Sequence, residues 1–187
     1  MLNTATNLSN APIKIINMGN RQEPLRANYL QEPEAAWVVD SARTSSNKVD
    51  ANNPLAGAVS ICDTSPIAMP VGVHCAVGGD SDAPTPGDIF CAALAACLDS
   101  TIRIIANRLS VKLATLEIEV LGGVDVRGTL MIDKDVPVGF QRFDIGVLVR
   151  AADTESEKML DVLITAAEKS CVVLQSIKGE IEIKLER

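Results

Sequence analysis

Residues 85–100 read TPGDIFCAALAACLDS and give the strongest structural signal in the chain. Thr85 is suited to cap a helix, Pro86 suits the first helical position, and Asp88 completes a T-x-x-D capping box. Residues with good helix propensity follow. The sequence therefore predicts a helix that begins after Thr85 and ends near Leu109.

The predicted helix carries one apolar face. Phe90, Leu94, Cys97 and Thr101 are spaced at i, i+4, i+7 and i+11, which places them on the same side. The alanines between them add little bulk, so other backbone can approach this helix closely. Cys97 is thus predicted in mid-helix on the inward face. A thiol in that position is either an inert core residue or the floor of a site.

A second cysteine ends another apolar stripe at helical spacing, which consists of Leu160, Leu163, Ile164, Ala167, Cys171 and Leu174. Ser170 is a plausible cap for a new helical turn, and this would place Cys171 at a helix N-terminus. The N–H groups and the dipole at such an end lower a thiol pKa and favour the thiolate.

Composition narrows the class of protein. The chain has 187 residues, 47% of them hydrophobic and 22% charged, which is typical of one globular domain. We expect an N-terminal arm over residues 1–34 and a domain over 35–187. The net charge of −7 argues against nucleic acid or an anionic membrane as the partner. No apolar run approaches the roughly 18–20 residues that span a bilayer, and no signal peptide is evident. We therefore expect a cytoplasmic protein.

The cysteine pattern excludes several site types. The five cysteines are Cys62, Cys75, Cys91, Cys97 and Cys171. Their odd number and irregular spacing do not suggest a disulfide scaffold, and they lack the paired spacing of zinc sites. The chain's single histidine, His74, would have to serve any Cys–His hydrolase. We expect Cys62, Cys75 and Cys91 to be packing residues.

The order of the remaining elements indicates an α+β fold. Alternating residues after the first helix predict strands with one buried face, joined by short links, and so a largely antiparallel sheet. A second capping box at Thr154-x-x-Glu157 starts the helix that leads to Cys171. Strands are predicted near residues 37–44, 58–62, 71–77, 116–120, 124–127, 143–147 and 180–185.

The two cysteine segments carry a family resemblance. The segment PTPGDIFCAALAAC resembles the helix motif of the OsmC/Ohr family, the osmotically inducible and organic hydroperoxide resistance proteins. The segment AEKSCVVLQSI resembles that family's second cysteine motif, and the element order of residues 35–187 is similar as well. The resemblance implies an OsmC-like fold with two main helices that carry the cysteines, assembled as an intertwined homodimer.

The resemblance also implies a function. Family members are thiol peroxidases that reduce organic hydroperoxides, with no metal or cofactor and with an external dithiol as reductant. By this likeness Cys97 would be the peroxidatic thiol and Cys171 the resolving thiol. The family arginine from an early strand matches Arg43.

Two positions depart from the family pattern. The family glutamate at the start of the cysteine helix would fall on Gly87, with Asp88 beside it. The proline that often follows the second cysteine is replaced by Val172. Asp88 is accounted for by the capping box, although a catalytic part stays open. A non-catalytic redox-sensing or ligand-binding module is the alternative function.

We expect Trp37 to be a core residue.

Overall fold

A computed structural model of the chain describes residues 16–45, 49–61 and 68–177. The six helices of these residues are α1 Met18–Gln31, α2 Pro86–Arg108, α3 Val126–Thr129, α4 Thr154–Glu157, α5 Leu160–Ser170 and α6 Val172–Ser176. The five strands are β1 Ala42–Thr44, β2 Ala56–Ile61, β3 Ala68–Gly72, β4 Leu113–Gly123 and β5 Arg142–Ala151. The α+β class is confirmed.

Helix α2 begins where the sequence predicts. The Thr85 hydroxyl oxygen accepts from the Asp88 N–H at 3.3 Å, and the Asp88 carboxylate accepts from the Thr85 N–H at 2.8 Å. This reciprocal pair satisfies two N–H groups that have no partner inside the helix. The capping box and the predicted helix are therefore confirmed, and they set the register that places Cys97.

The strands form two antiparallel sheets. The first has the order β1-β2-β3 and the second pairs β4 with β5. Along β5 the buried residues alternate with partly exposed ones, as expected for a strand that packs on one face. The buried residues of β5 are Phe143, Ile145, Val147 and Val149.

One hydrophobic core lies between α2, α5 and the β4-β5 sheet. Leu94, Leu98 and Ile102 line the buried side of α2, and Leu163 lies opposite them on α5. Three of these side chains, Leu94, Ile102 and Leu163, are completely buried. The core therefore fixes the rotation of α2 about its axis, and with it the direction in which Cys97 points.

By length and composition α2 is also the one helix of the described residues that would suffice to cross a membrane. This differs from the expectation that no segment approaches that length. Core helices of soluble proteins can have the same length and composition. In this structure 22% of the most apolar 18-residue window of α2 is buried.

The N-terminal region differs from the prediction. Residues 18–31, expected as arm or loop, form α1, which Asn17 caps by accepting from the Asn20 N–H at 2.9 Å. Pro24 inside this segment hid the helical signal, because proline lacks an N–H and normally interrupts a helix. The Asn107 side chain ties the start of α1 to α2, since it accepts from the Met18 N–H at 2.7 Å and donates to the Ile16 carbonyl at 2.9 Å.

The strand expected near Trp37 is much shorter. Only residues 42–44 pair, and Trp37 is 83% exposed, so its assignment to the core of this chain is wrong. The apolar run of residues 37–39 misled the prediction, because periodicity does not tell whether the surface that covers such a run belongs to the same chain.

At two other places an aspartate side chain caps a helix where the sequence predicted something else. Residues 124–127 do not form a strand. There the Asp125 side chain accepts from the Arg127 N–H at 3.0 Å and starts the helical turn α3. Likewise Asp153, rather than Thr154, caps α4 by accepting from the Ser156 N–H at 2.8 Å. Asp and Asn compete with regular structure by such short-range bonds.

Four further strand predictions have different outcomes. The strands at 116–120 and 143–147 are confirmed by the register of β4 and β5, in which Ile118 faces Val147. The prediction at 71–77 overlaps only the end of β3, and residues 75–77 form a 3₁₀ turn instead. Cys62 and the strand predicted at 180–185 lie outside the described residues.

Candidate active site

Cys97 and Cys171 come together although 73 residues separate them in the sequence. Cys97 lies on α2, partly buried against the core. Cys171 lies in the break between α5 and α6 and is completely buried. Its N–H donates to the Ala167 carbonyl at 2.9 Å and its carbonyl accepts from the Gln175 N–H at 2.9 Å, so α5 and α6 both hold it. The two thiols are neighbours, since each of them shifts the pKa of the other.

The surroundings of Cys97 favour its thiolate. Burial by itself would raise the pKa of Cys97, but hydrogen bonds outweigh it and the pKa is lowered. The groups that lower it are the backbone N–H groups of Val173 and Val172 and the neighbouring Cys171 thiol, whereas the Thr101 hydroxyl donates to the Cys97 carbonyl at 2.8 Å. The two backbone donors belong to the first turn of α6, where N–H groups have no partner within the helix.

Cys171 has the opposite character. Burial raises the pKa of Cys171, and the neighbouring Cys97 raises it further, while the N–H groups of Leu174 and Val173 oppose the shift. The helix start thus lowers the pKa of Cys171 as expected, but burial and Cys97 outweigh it and the pKa is raised overall. The new turn does exist, but Cys171 itself occupies the cap position and Ser170 ends α5. The opposite shifts therefore favour ionisation of Cys97 before that of Cys171.

Asp88 is engaged at the start of α2. Its carboxylate accepts from both the N–H and the hydroxyl of Thr85 at 2.8 Å, and these bonds lower the pKa of Asp88. At 1.5 Å per residue, Asp88 lies about 13 Å from Cys97 along the helix axis. The structure therefore does not place Asp88 beside the thiol, and its catalytic part stays a prediction.

Arg43 lies on β1, opposite Ser60 of β2, and is exposed. The groups that shift the pKa of Cys97 come from α2 and from the region of α5 and α6, and Arg43 is not one of them. Within one chain the structure therefore does not bring Arg43 to the thiols. Its role as the cation of the site stays a prediction.

An aromatic cluster lies at the N-terminal end of α2 and contains the three phenylalanines of the chain. The ring of Phe90 stacks on Phe140 at a centroid distance of 5.6 Å and on Phe143 at 5.7 Å. Phe90 is 40% exposed, so the cluster reaches the surface on the face of α2 that also carries Cys97. Gly87 lies against the same cluster, since a Cβ built on it would come within 3.4 Å of the Phe140 ring.

The other described cysteines face elsewhere. Cys91 packs beside Gly122, and burial raises the pKa of its thiol, in agreement with a packing residue. Cys75 is exposed and its sulfur lies 3.9 Å from Nδ1 of His74, which itself accepts from the Ala76 N–H at 3.0 Å.

The hydrolase and metal alternatives gain no support from these contacts. His74 influences the pKa of Asp88 and is not among the groups that act on Cys97. In the ranges that the structure describes, no group of three metal-ligating side chains is present.

Sequence reasoning missed the N–H groups of Val172 and Val173 that lower the pKa of Cys97. A backbone N–H has no signature in the side-chain pattern. The departure from proline at 172 was the available signal, because proline has no N–H to donate.

The chain thus has an α+β fold in which a long capped helix places the thiol of Cys97 next to the buried thiol of Cys171. This arrangement is that of a protein with a paired-thiol site. Residues 78–186 match the family model described as OsmC-like protein, so the chain belongs to the OsmC-like family. A comparison with the curated proteins gives no match.

Solved structures agree with this fold. An organic hydroperoxide resistance protein of Legionella pneumophila is similar with a TM-score of 0.58 and 19% identity, over 80% of this chain and 96% of that one. An OsmC-like protein of unknown function from Vibrio cholerae gives 0.62 and 14%, over 80% and 100%. An organic hydroperoxide resistance protein of Bacillus subtilis gives 0.52 and 19%, over 80% and 97%. At these identities the likeness concerns the fold, and the low values fit a divergent member.

Proposed function

We propose that this protein is a thiol peroxidase that reduces organic hydroperoxides to alcohols. The observation that carries the proposal is the pair of neighbouring thiols of Cys97 and Cys171, whose pKa values are shifted in opposite directions. A peroxidatic thiol has to be ionised to attack an O–O bond, whereas a resolving thiol has to stay reduced until the sulfenic acid forms. The lowered pKa of Cys97 suits the first role and the buried Cys171 suits the second.

The reaction has three balanced steps. The Cys97 thiolate attacks one oxygen of ROOH, so the O–O bond breaks, Cys97 becomes a sulfenic acid, and the alkoxide leaves as ROH after taking a proton. The Cys171 sulfur then attacks the Cys97 sulfur, and the disulfide forms as water leaves. An external dithiol reduces this disulfide by exchange and restores both thiols. We propose a cytoplasmic location, where such dithiols are kept reduced.

We assign the cation that would stabilise the Cys97 thiolate to Arg43 of a second copy in a homodimer. A guanidinium would stabilise the thiolate and the departing alkoxide, but within one chain Arg43 lies away from Cys97. Two features support a second copy. The β1-β2-β3 sheet contributes no residue to the buried core, and Trp37, Val38 and Val39 before it are 83%, 76% and 79% exposed. Exposed apolar runs of this kind mark interaction surfaces.

The aromatic cluster supports organic over inorganic peroxide as the substrate. Phe90 is partly exposed on the face of α2 that carries Cys97, about 10 Å from it along the axis. The apolar group of an organic hydroperoxide whose O–O bond lies at Cys97 would extend toward this cluster. Gly87 places no side chain beside the Phe140 ring, where the family pattern has a carboxylate.

A peptide mass map tests the function. Reduced protein is treated with one equivalent of cumene hydroperoxide, digested and analysed for crosslinked peptides. We expect a Cys97–Cys171 disulfide that is absent from Cys97→Ser and, in the Cys171→Ser variant, a sulfenic acid trapped at Cys97 by dimedone. If both thiols stay reduced while the fold is retained, the peroxidase proposal is wrong.

A second candidate is a ligand-binding or redox-sensing module on the same fold. It is favoured by Gly87, which removes the carboxylate that the family pattern has at this point. A sensor would form the disulfide once but turn over poorly. Steady-state consumption of cumene hydroperoxide with dithiothreitol or a dihydrolipoyl compound as reductant therefore separates the two functions.

A further inference from the structure

A pocket separate from the thiols lies between α1 and the C-terminal end of α2. Its volume is about 280 Å³, and it is lined by Gln22, Leu25, Arg26, Tyr29 and Arg108. Helix α1 lies outside residues 78–186, which match the family model, so four of the five lining residues belong to a part of the chain that the family match does not include, and Arg108 lies within it.

The pocket is cationic in an acidic protein. Arg26 and Arg108 reach it from two different helices, and neither has an ion pair or side-chain hydrogen bond among the described residues. The chain as a whole carries a net charge of −7, so acidic side chains are in excess. Two exposed arginines that line one pocket without an acidic residue in its lining can form a site for an anion, because the planar donors of a guanidinium group match a carboxylate in a bidentate manner.

A third polar group in the wall lacks a partner. The side-chain oxygen Oε1 of Gln22 is buried and has no hydrogen bond. An amide oxygen accepts hydrogen bonds and cannot hold an anion, so the anion site consists of Arg26 and Arg108.

The rest of the wall is apolar. Leu25 is 48% exposed and Tyr29 is partly buried, so the pocket offers an aliphatic and an aromatic surface beside the two guanidinium groups. Its volume is at the lower end of the ~300–1,000 Å³ range of small-molecule sites, which excludes a peptide or a complete lipid.

We propose that this pocket binds a small organic monocarboxylate with a short apolar tail. The carboxylate is held by Arg26 and Arg108, and the tail lies on Leu25 and Tyr29. The site is independent of the peroxidase proposal, because Arg108 lies about 16 Å from Cys97 along α2.

The test uses the full chain with a tyrosine label. Tyr29 is the only tyrosine and Trp37 the only tryptophan of the sequence, so ¹³C labelling of both gives one ring reporter inside the pocket and one outside it. Sodium octanoate is titrated at constant ionic strength, with inorganic phosphate and 1-octanol as separate probes. We expect octanoate to shift the Tyr29 signals saturably and to leave the Trp37 signals unchanged.

Three variants locate the anion. Arg26→Gln and Arg108→Gln each remove one proposed donor, and we expect each to weaken octanoate binding at least tenfold. Arg21→Gln is the matched control, because Arg21 is an exposed arginine of the same helix that does not line the pocket. It removes an equal charge and should change the affinity less than twofold.

Several results would overturn the proposal. Unsaturable shifts of Tyr29 would mean that there is no site, and equal affinity in Arg21→Gln and Arg26→Gln would reduce the effect to net charge. Phosphate that binds as tightly as octanoate would remove the role of the apolar wall. Octanol that binds as tightly would remove the role of the guanidinium groups. Loss of Cys97 reactivity leaves this test unaffected, so the two proposals fail separately.

Discussion

Cys171 in the break between α5 and α6 lies beside Cys97 in the middle of α2, where Cys171 lowers the pKa of Cys97 and Cys97 raises the pKa of Cys171. The contact makes the two sulfurs unequal. It stabilises the anionic form of Cys97 and disfavours ionisation of Cys171, which is also completely buried.

The first prediction concerns the pH dependence of alkylation. The pKa of Cys97 is lowered and that of Cys171 is raised, so Cys97 should react with iodoacetamide at pH values where Cys171 is still protonated. As the pH rises, modification of Cys97 should begin first, and Cys171 should follow only above the ordinary thiol range. Mass spectrometry of tryptic peptides after short pulses measures both rates. Simultaneous modification, or Cys171 first, would contradict the assigned roles.

The second prediction concerns Val172, whose N–H donates to the Cys97 sulfur. Val172→Pro removes this donor without changing either cysteine, and proline is sterically suited to the first position of α6. We expect the pKa of Cys97 to rise and its alkylation at neutral pH to slow. Loss of one charge-assisted hydrogen bond of about 1.5–3 kcal/mol corresponds to a pKa change of roughly one to two units.

Val172→Ala is the matched control for that change, because it shortens the side chain and keeps the N–H. Val172 is 72% exposed, so neither variant should disturb the core. The pKa of Cys97 is read from the absorbance of its thiolate at 240 nm in a Cys62→Ser/Cys75→Ser/Cys91→Ser background. An unchanged titration in Val172→Pro would exclude this N–H as a determinant.

The sequence defined the fold and the thiol pair better than it defined the rest of the site. Thr85, Asp88 and the periodicity of Phe90 to Thr101 are local signals, and local signals determine where a helix starts and which side it buries. Cys171 was predicted as the first residue of a new helical turn capped by Ser170, whereas Cys171 itself occupies the cap position. The backbone donors to Cys97 could not be predicted, because they depend on how α6 approaches α2 in space. Trp37 shows a further limit, since an apolar run does not reveal what covers it.

The third prediction concerns the cap of α2. Thr85→Ala and Asp88→Ala should each lower the free energy of unfolding by about 1 kcal/mol, because each removes one half of the capping box. The double variant should cost less than the sum, since each partner loses its role with the other. Urea denaturation measures all three.

The cap also gives a pH dependence. The pKa of Asp88 is lowered in the folded protein by the N–H and hydroxyl of Thr85, so the stabilisation is present above the unfolded carboxyl pKa. It disappears as the pH falls through the lowered folded value. The difference between wild type and Asp88→Ala should therefore shrink in acid. A constant difference would mean that the carboxylate charge contributes nothing.

The last prediction concerns the contact between Phe140 of the aromatic cluster and Gly122 of β4. A Cβ built on Gly122 would lie 2.6 Å from Cε1 of Phe140 and 3.1 Å from the Cys91 sulfur, whereas the closest contact of a Cβ on Gly123 is 3.7 Å, to Arg142. Gly122→Ala must therefore displace the Phe140 ring, and overpacking of this kind costs roughly 1–3 kcal/mol. Gly123→Ala, one residue further along the same strand, should stay within about 0.5 kcal/mol of wild type in its free energy of unfolding.

If Phe140 shapes the substrate region, Gly122→Ala should also raise KM for cumene hydroperoxide and leave turnover of hydrogen peroxide unchanged. Equal changes with both peroxides would show that the ring only supports the fold, because a general distortion of Cys97 would affect the two substrates alike.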